Sequence, residues 1–370
     1  MKPSVVVVGA GVVGCTVAYQ LAKEGAVVTI LEPRAPGQGA TRASAGILAP
    51  DIEGHGSSLL RLLGRRSIAM FDDFIAGLRA DTGREIAYQR TGTFELAFSD
   101  EDVRRLQALA AALTHDRIES RWLAPSEFDT IEPNVSKSAQ GALLIPMHGF
   151  VGVTALTDAA AAAAQAYGAT LVSGTGAIRI FAMPNGCAGV EAMNATWEAD
   201  RVVLAAGSWS SMITIQDADQ VPVKPIRGQL IQLKSELGRI RRVIWGPGGY
   251  LVPWPDGSVL VGSTVEDVGF DERHTDEAVA KLRAAAASLV PDLAKAELTS
   301  IRTGLRPKGP DDLPMLGHSK VVPGLIYATA HYRNGVMFAP LTVKLVGDLV
   351  FDRLSDPALG DLDPARVGRL

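Results

Sequence analysis

The sequence predicts an α/β domain interleaved with a second domain built on an antiparallel sheet, and three observations predict it. A buried strand, a glycine-rich turn and a helix open the chain and lead into a second strand. Short extended runs separated by tight-turn signals cluster later, between residues 223 and 263. Helical patterns between and after these runs carry the chain out of the first unit and bring it back. With 370 residues, 47% hydrophobic and 21% charged, the chain can bury more than one core and is too apolar to be disordered.

The first unit reads element by element. Ser4–Val8 is a β-branched run, GAGVVG spans Gly9 to Gly14, and Val12–Lys23 continues as a helix that Gly25 ends. A second run, 27–31, finishes at Glu32. No residue between Lys2 and Lys23 is charged, a pattern shared with signal peptides and membrane spans. Gly9, Gly11 and Gly14 would weaken a spanning helix and no small-residue cleavage site follows, so the stretch is read as βαβ and residue 1 as the mature terminus.

Residues 57–80 form a helix with Phe71, Phe74, Ile75 and Leu78 on one face and Gly83 beyond its end. Ser99 caps a helix with Asp100, Glu101 and Asp102 in its first turn and Val103, Leu106, Leu109 and Leu113 as its stripe. The alanine-rich stretch 154–167 is a helix closed by Gly168. Strands follow at 170–172, 177–181 and 189–193, with a turn at 184–186, and the run 201–206 returns the chain to the first sheet and ends at Gly207. Extended runs at 223–233, 250–253 and 259–263 form the antiparallel sheet, and a helix at 275–289 is stopped by Pro291. The chain ends with a GLRP loop at 304–307, a strand Leu325–Thr329, an HYRNG turn at 331–335 and a helix at 340–353. The first domain is therefore expected over 1–80, 145–215 and 305–370, and the second over 81–144 and 216–304.

The N-terminal unit carries the arrangement of a dinucleotide site. Gly9 permits the tight turn, Gly11 lets the backbone approach a pyrophosphate, Gly14 lets helix and strand pack closely, and the helix N-terminus offers N–H groups to phosphates. Glu32, about 20 residues beyond the glycines, can accept hydrogen bonds from a ribose 2'-OH. These residues alone leave NAD and FAD both open.

Other classes find no support. A net charge of -4 and an isoelectric point near 5.9 give no positive field for nucleic acid or an acidic membrane. Two cysteines, Cys15 and Cys187, make neither a disulfide framework nor a metal cluster, which fits a reduced, cytoplasmic setting, and Cys15 is read as packing. No nucleophile elbow, zinc-protease motif, kinase set or P-loop occurs. Only His331 of the six histidines lies in a motif, and its role is read as structural. Arg239, Arg241 and Arg242 are read as a solvated edge.

The ordered set of GAGVVG, the segment from Ala40 to Pro50, Arg227-Gly228-Gln229, Tyr250 to Pro253, GLRP, Leu313 to Gly317 and HYRNG with Ala339-Pro340 resembles one family over nearly the whole chain. It is similar to the D-amino acid oxidase-like FAD-dependent oxidoreductases, and within them to the glycine oxidases of the thiamine thiazole pathway. The resemblance implies a discontinuous Rossmann-like FAD domain with an interleaved substrate domain. It implies that Val12, Val13, Glu32 and Pro33 touch the adenosine half of FAD beside the glycine turn of Gly9, Gly11 and Gly14, and that Ala40, Thr41, Ala45, Gly46 and Ile47 line the phosphate and flavin path. Ala177 and Gly207 would meet the cofactor through backbone, and His331, Tyr332, Arg333, Asn334, Gly335, Val336 and Met337 would wrap the flavin. No cysteine falls in the C-terminal segments where sarcosine oxidases tether flavin, so FAD is expected to be noncovalent. The chain departs from the family at Gly152-Val153, where a proline is common, and at Val265, where glycine oxidases can carry methionine.

The resemblance further implies that Arg306, Tyr250 and Arg333 face an amino acid substrate. Their chemistry agrees: a guanidinium fork binds a carboxylate bidentately, and a tyrosine offers an apolar wall with a polar tip. The implied reaction is oxidation of a small amino acid or secondary amine by hydride transfer from Cα to flavin, with dioxygen as acceptor and hydrogen peroxide, a 2-oxo acid and ammonia or amine as products. A dehydrogenase of D-amino acids, hydroxyproline or an opine is the alternative, and a homo-oligomer without a transmembrane segment is expected.

Overall fold

A computed structural model describes residues 2–53, 57–184, 186–193, 195–236, 239–354 and 356–370; Asn185, in the turn expected at 184–186, lies outside the described residues. Its centre is a six-stranded sheet in the order Met315–His318, Leu325–Thr329, Arg201–Leu204, Ser4–Val8, Val27–Glu32, Thr170–Ser173. All neighbours run parallel except the edge strand Met315–His318. Ser4–Val8 is covered on both faces, so alternate valines feed two cores. Val5 and Val7 join a core with the helices Val12–Lys23, Val153–Ala166 and Ala339–Val350, while Val6 and Val8 join one with Ile180, Val190 and Val202. The latter core is roofed by a four-stranded sheet, Ala195–Ala199, Ala188–Ala192, Ala177–Ala182 and Thr214–Ile215.

A second large sheet has eight strands in the order Glu297–Lys308, Lys224–Lys234, Ser258–Gly262, Gly249–Pro253, Val243–Gly246, Thr93–Ala97, Gly141–Ile145, Arg121–Leu123. Its pairings are antiparallel save that of Val243–Gly246 with Thr93–Ala97. The helix Asp276–Leu289, capped by the Thr275 hydroxyl, buries Leu282, Ala286 and Leu289 in a core with this sheet.

Several expectations need correction. The GLRP segment is not a loop but part of the strand Glu297–Lys308, with Gly304 opposite Gly228 and Arg306 opposite Ile226. Proline is tolerated at position 307 because this strand is the sheet's edge, where a missing N–H costs no ladder bond. The single helix expected over 57–80 is two, Ser58–Ala69 and Phe71–Thr82, broken at Met70 without a glycine or proline to signal it. The last long helix stops at Val350, and short turns of helix at Ala358–Leu362 and Pro364–Val367 follow. The expected boundaries at 144/145 and 304/305 fall inside strands, so the chain changes sheet a few residues beyond each. Among the described residues no helix is long and apolar enough to cross a membrane.

Candidate active site

A cavity of about 470 Å³ opens at the carboxyl ends of the parallel strands, where Val8, Leu31, Glu32, Ala205, Ala328 and Thr329 line it. Gly9 has φ +104°, and a Cβ there would lie 2.6 Å from the Ala205 carbonyl oxygen, so the turn admits only glycine. The helix Val12–Lys23 starts at Gly11 with no side-chain cap of its own, and Gly11, Val12 and Val13 face the cavity. The Val12 N–H donates to Thr41 Oγ1 at 3.0 Å, tying the 40–43 turn to the helix start. Glu32 Oε2 accepts the Ala10 N–H at 2.7 Å and Oε1 accepts the Arg34 N–H at 2.9 Å, which fixes the acid at the mouth.

Pro33, Ala40, Thr41, Ala45, Gly46, Ile47, Ala177 and Gly207 also line the cavity. Gly14 does not: a Cβ there would run into the Gly9 carbonyl, so its part is helix-on-strand packing. Three residues that sequence reasoning missed meet near the same mouth, which Arg34 and Trp209 line. Arg34 stacks 4.7 Å above the Trp209 ring and pairs bidentately with Glu272 at 3.1 and 2.8 Å. No motif marks them, because the contact joins residues from three distant stretches.

At the other end the walls are side chains from the eight-stranded sheet. Arg306 donates through Nη1 to the Thr264 carbonyl at 3.0 Å and through Nη2 to Ser263 Oγ at 2.8 Å. Tyr250 is buried, lies with its ring centre 4.9 Å from that of Trp245 and tilted to it, and hydrogen-bonds Ser263 through its hydroxyl. Two glycines make room: a Cβ on Gly228 would fall within the Arg306 guanidinium, and one on Gly262 would overlap the Tyr250 ring. Burial lowers the Arg306 pKa from its usual value and raises that of Tyr250. Arg333 lies 5.5 Å from the Tyr332 ring, and its buried Nε has no hydrogen-bond partner among the described residues.

Glu53 is the acid that sequence reasoning missed. It lines the cavity from the one-turn helix Pro50–Glu53, where burial raises its carboxyl pKa against the opposing pull of Arg333 and Arg306. The turn 331–335 closes this end. His331 bonds Thr342 Oγ1 through Nε2 at 3.0 Å, and His331, Tyr332, Arg333, Gly335 and Val336 line the cavity. Asn334 and Met337 do not: both are buried behind the wall, Met337 against Gly64.

A family model described as "FAD dependent oxidoreductase" matches residues 4–349. The chain belongs to this family. It is 32% identical to a glycine oxidase of Geobacillus kaustophilus (strain HTA426), over 94% of this chain and 92% of that one. It is 30% identical to the bifunctional protein ThiO/ThiG of Nostoc sp. (strain PCC 7120), where 99% of this chain spans 55% of the relative's length. The solved structure of glycine oxidase from Geobacillus kaustophilus superposes with a TM-score of 0.94 at 31% identity, covering 99% of each chain.

The cofactor of this family, FAD, suits the cavity's construction. A helix start whose N-cap residue has no side chain, a glycine turn that excludes a Cβ and an acid held at the mouth are what a dinucleotide needs at one end. At the other end the FAD-dependent enzyme offers a guanidinium nitrogen with no protein partner among the described residues. Three sequence readings outside the cavity also resolve. Cys15 is fully buried, donates to the Ala10 carbonyl at 3.3 Å and has its thiol pKa pushed up by burial, so it packs. Val265, where the chain departs from the family, is exposed and is not among the residues that line the cavity. The arginines at 239–242 are not a plain solvated edge: the Arg241 N–H and the Arg242 guanidinium both engage the buried Glu132.

Proposed function

We propose that the protein oxidises the Cα–N bond of glycine and other small amino acids or secondary amines, sarcosine and small D-amino acids among them. Oxidation gives an imine, which water hydrolyses to a 2-oxo acid and ammonia or an amine, and dioxygen is the acceptor and leaves as hydrogen peroxide. The observation that carries this reading is Arg306, a cation with two N–H groups spent on Ser263 and Thr264, facing the cavity beside Tyr250. Such a group in a water-poor end binds a carboxylate strongly. The glycine oxidase relatives support the amino acid, and the resemblance to the thiamine thiazole branch supplies the proposed pathway.

Gly9, Gly11, Val12, Val13, Glu32, Pro33, Ala40, Thr41, Ala177 and Gly207 hold the nucleotide in this reading, and Ala45 to Ile47 with His331, Tyr332, Arg333, Gly335 and Val336 hold the ring end. When bound, FAD supplies the two-electron acceptor. The chain's own residues do the rest by orientation and charge. Arg306 holds the carboxylate, Tyr250 walls it, and Arg333 adds a second positive charge. Two guanidinium groups disfavour an ammonium beside them, so the amine enters neutral and no side-chain base need remove its proton. Neither Cys15 nor Cys187 lines the cavity, which supports noncovalent FAD.

The test is peroxide formation by the purified, FAD-loaded protein with glycine, sarcosine, D-alanine and D-proline. Peroxide with at least one supports the oxidase. Turnover seen only with an artificial electron acceptor makes the protein a dehydrogenase, and no turnover with any of them defeats the substrate class.

A further inference from the structure

On the strand Lys224–Lys234 the successive residues Arg227, Gly228 and Gln229 divide one task. The missing side chain of Gly228 leaves the space in which the Arg306 guanidinium lies. Its two neighbours, projecting to the opposite face, grip the connection between the strand Ser258–Gly262 and the helix Asp276–Leu289. The Gln229 N–H donates to Thr264 Oγ1 at 3.0 Å and its carbonyl accepts the Thr264 N–H at 3.3 Å. The Gln229 amide donates to Glu266 Oε1 at 2.8 Å and to Thr275 Oγ1 at 3.2 Å, and its Oε1 accepts the Thr275 N–H at 2.8 Å.

Arg227 completes the grip. Its guanidinium pairs with Glu266, with Asp271 at 3.1 Å and with the Arg273 carbonyl at 3.0 Å. Gln229, Arg227 and Thr264 are all buried, so these bonds are made where water does not compete. The connection they fix begins with Ser263 and Thr264, whose hydroxyl and carbonyl oxygens receive the two Arg306 nitrogens.

We infer that Gln229 and Thr264 are positioning residues for Arg306, setting the aim of its guanidinium at the substrate carboxylate while touching neither substrate nor cofactor. Neither residue lines the cavity. The inference rests on the reading that Arg306 holds that carboxylate. The carboxylate is unchanged through the reaction, so its loosened grip weakens ground state and transition state alike and appears in KM rather than kcat.

The test titrates acetate against the visible flavin spectrum of the FAD-loaded protein and measures KM and kcat for its best amino acid substrate. Gln229→Leu and Thr264→Val should raise both the acetate Kd and KM about tenfold with kcat held within about threefold. Thr264→Ser keeps the hydroxyl and should restore the acetate Kd to within about threefold of wild type. If Gln229→Leu does not fold, the two Thr264 variants decide alone. Arg306→Ala is the control and should abolish acetate binding. Acetate affinity within about twofold of wild type in the Gln229 and Thr264 variants, with Arg306→Ala losing it, overturns the positioning role alone. Acetate binding that survives Arg306→Ala overturns the carboxylate reading, and the inference with it.

Discussion

At the end of the cavity proposed for the nucleotide the walls are backbone that a short stretch of chain supplies, and at the end proposed for the substrate they are side chains gathered from far apart. The first end uses Gly9, the start of one helix and a carboxylate held by two backbone N–H groups, nearly all within residues 8–41. The second uses Glu53, Tyr250, Arg306 and Arg333, and depends on Gly228 and Gly262 for clearance. The difference teaches that damage to the two ends should separate: one loses cofactor, the other substrate.

The largest separation is expected at Arg306. Truncation to alanine removes the charge-assisted bonds to a carboxylate in a desolvated end, about 3 to 5 kcal/mol or roughly two to four powers of ten in kcat/KM, while FAD affinity stays near wild type. Lysine should rescue in part only, because a point charge does not reproduce the fork. Steady-state kinetics beside an FAD titration would check both halves of the statement.

His331 joins the two ends, since its backbone bridges to Lys308 on the strand that carries Arg306. Burial pushes its imidazole down to about 4 from an ordinary 6.5. The unfolded chain therefore takes up a proton between those values that the folded chain refuses. The contribution of neutral His331 is full above about pH 6.5 and falls by about 3 kcal/mol as the pH drops to about 4. Denaturant midpoints measured across this window should fall less steeply in His331→Gln than in wild type.

A pair of alanine substitutions sharpens the contrast at the level of clearance. Gly228→Ala should displace the guanidinium and cost about two powers of ten in kcat/KM, with FAD retained. Gly9→Ala, at a positive φ and against a carbonyl, should instead purify without FAD. If Gly228→Ala loses FAD and Gly9→Ala keeps it, the two ends are not independent. The smallest effect is expected for Glu32→Ala, which should weaken FAD about tenfold, a loss of about 1.4 kcal/mol, and leave turnover at saturating FAD nearly intact. Fluorescence titration of the apoprotein with FAD reads it directly.

The same contrast explains what the sequence made legible. Strand Ser4–Val8, helix Val12–Lys23 and Glu32 were readable because spacing along one stretch dictates a backbone site. Glu53 and the Arg34–Glu272 pair were not, because no local pattern reports which distant side chains will meet. Gly304 and Pro307 suggested a loop, but the glycine is there because the 40–43 turn packs against it, leaving 2.7 Å between an added Cβ and that of Ala43. The helix ends at Ala69 and Val350 also escaped, since neither is marked by a glycine or proline at the residue that follows. Arg306, Tyr250 and Arg333 came from family likeness, and all three line the same cavity.

The most direct test of the account is the reductive half-reaction. The FAD-loaded protein is mixed with glycine, sarcosine, D-alanine or D-proline in the absence of oxygen, and the visible flavin absorbance is followed. The account predicts that at least one of them bleaches the flavin, that Arg306→Ala slows the bleaching at limiting amino acid, and that admitting air restores the colour with release of peroxide. A flavin that stays oxidised with all four, in a protein that carries FAD and is folded, would contradict it.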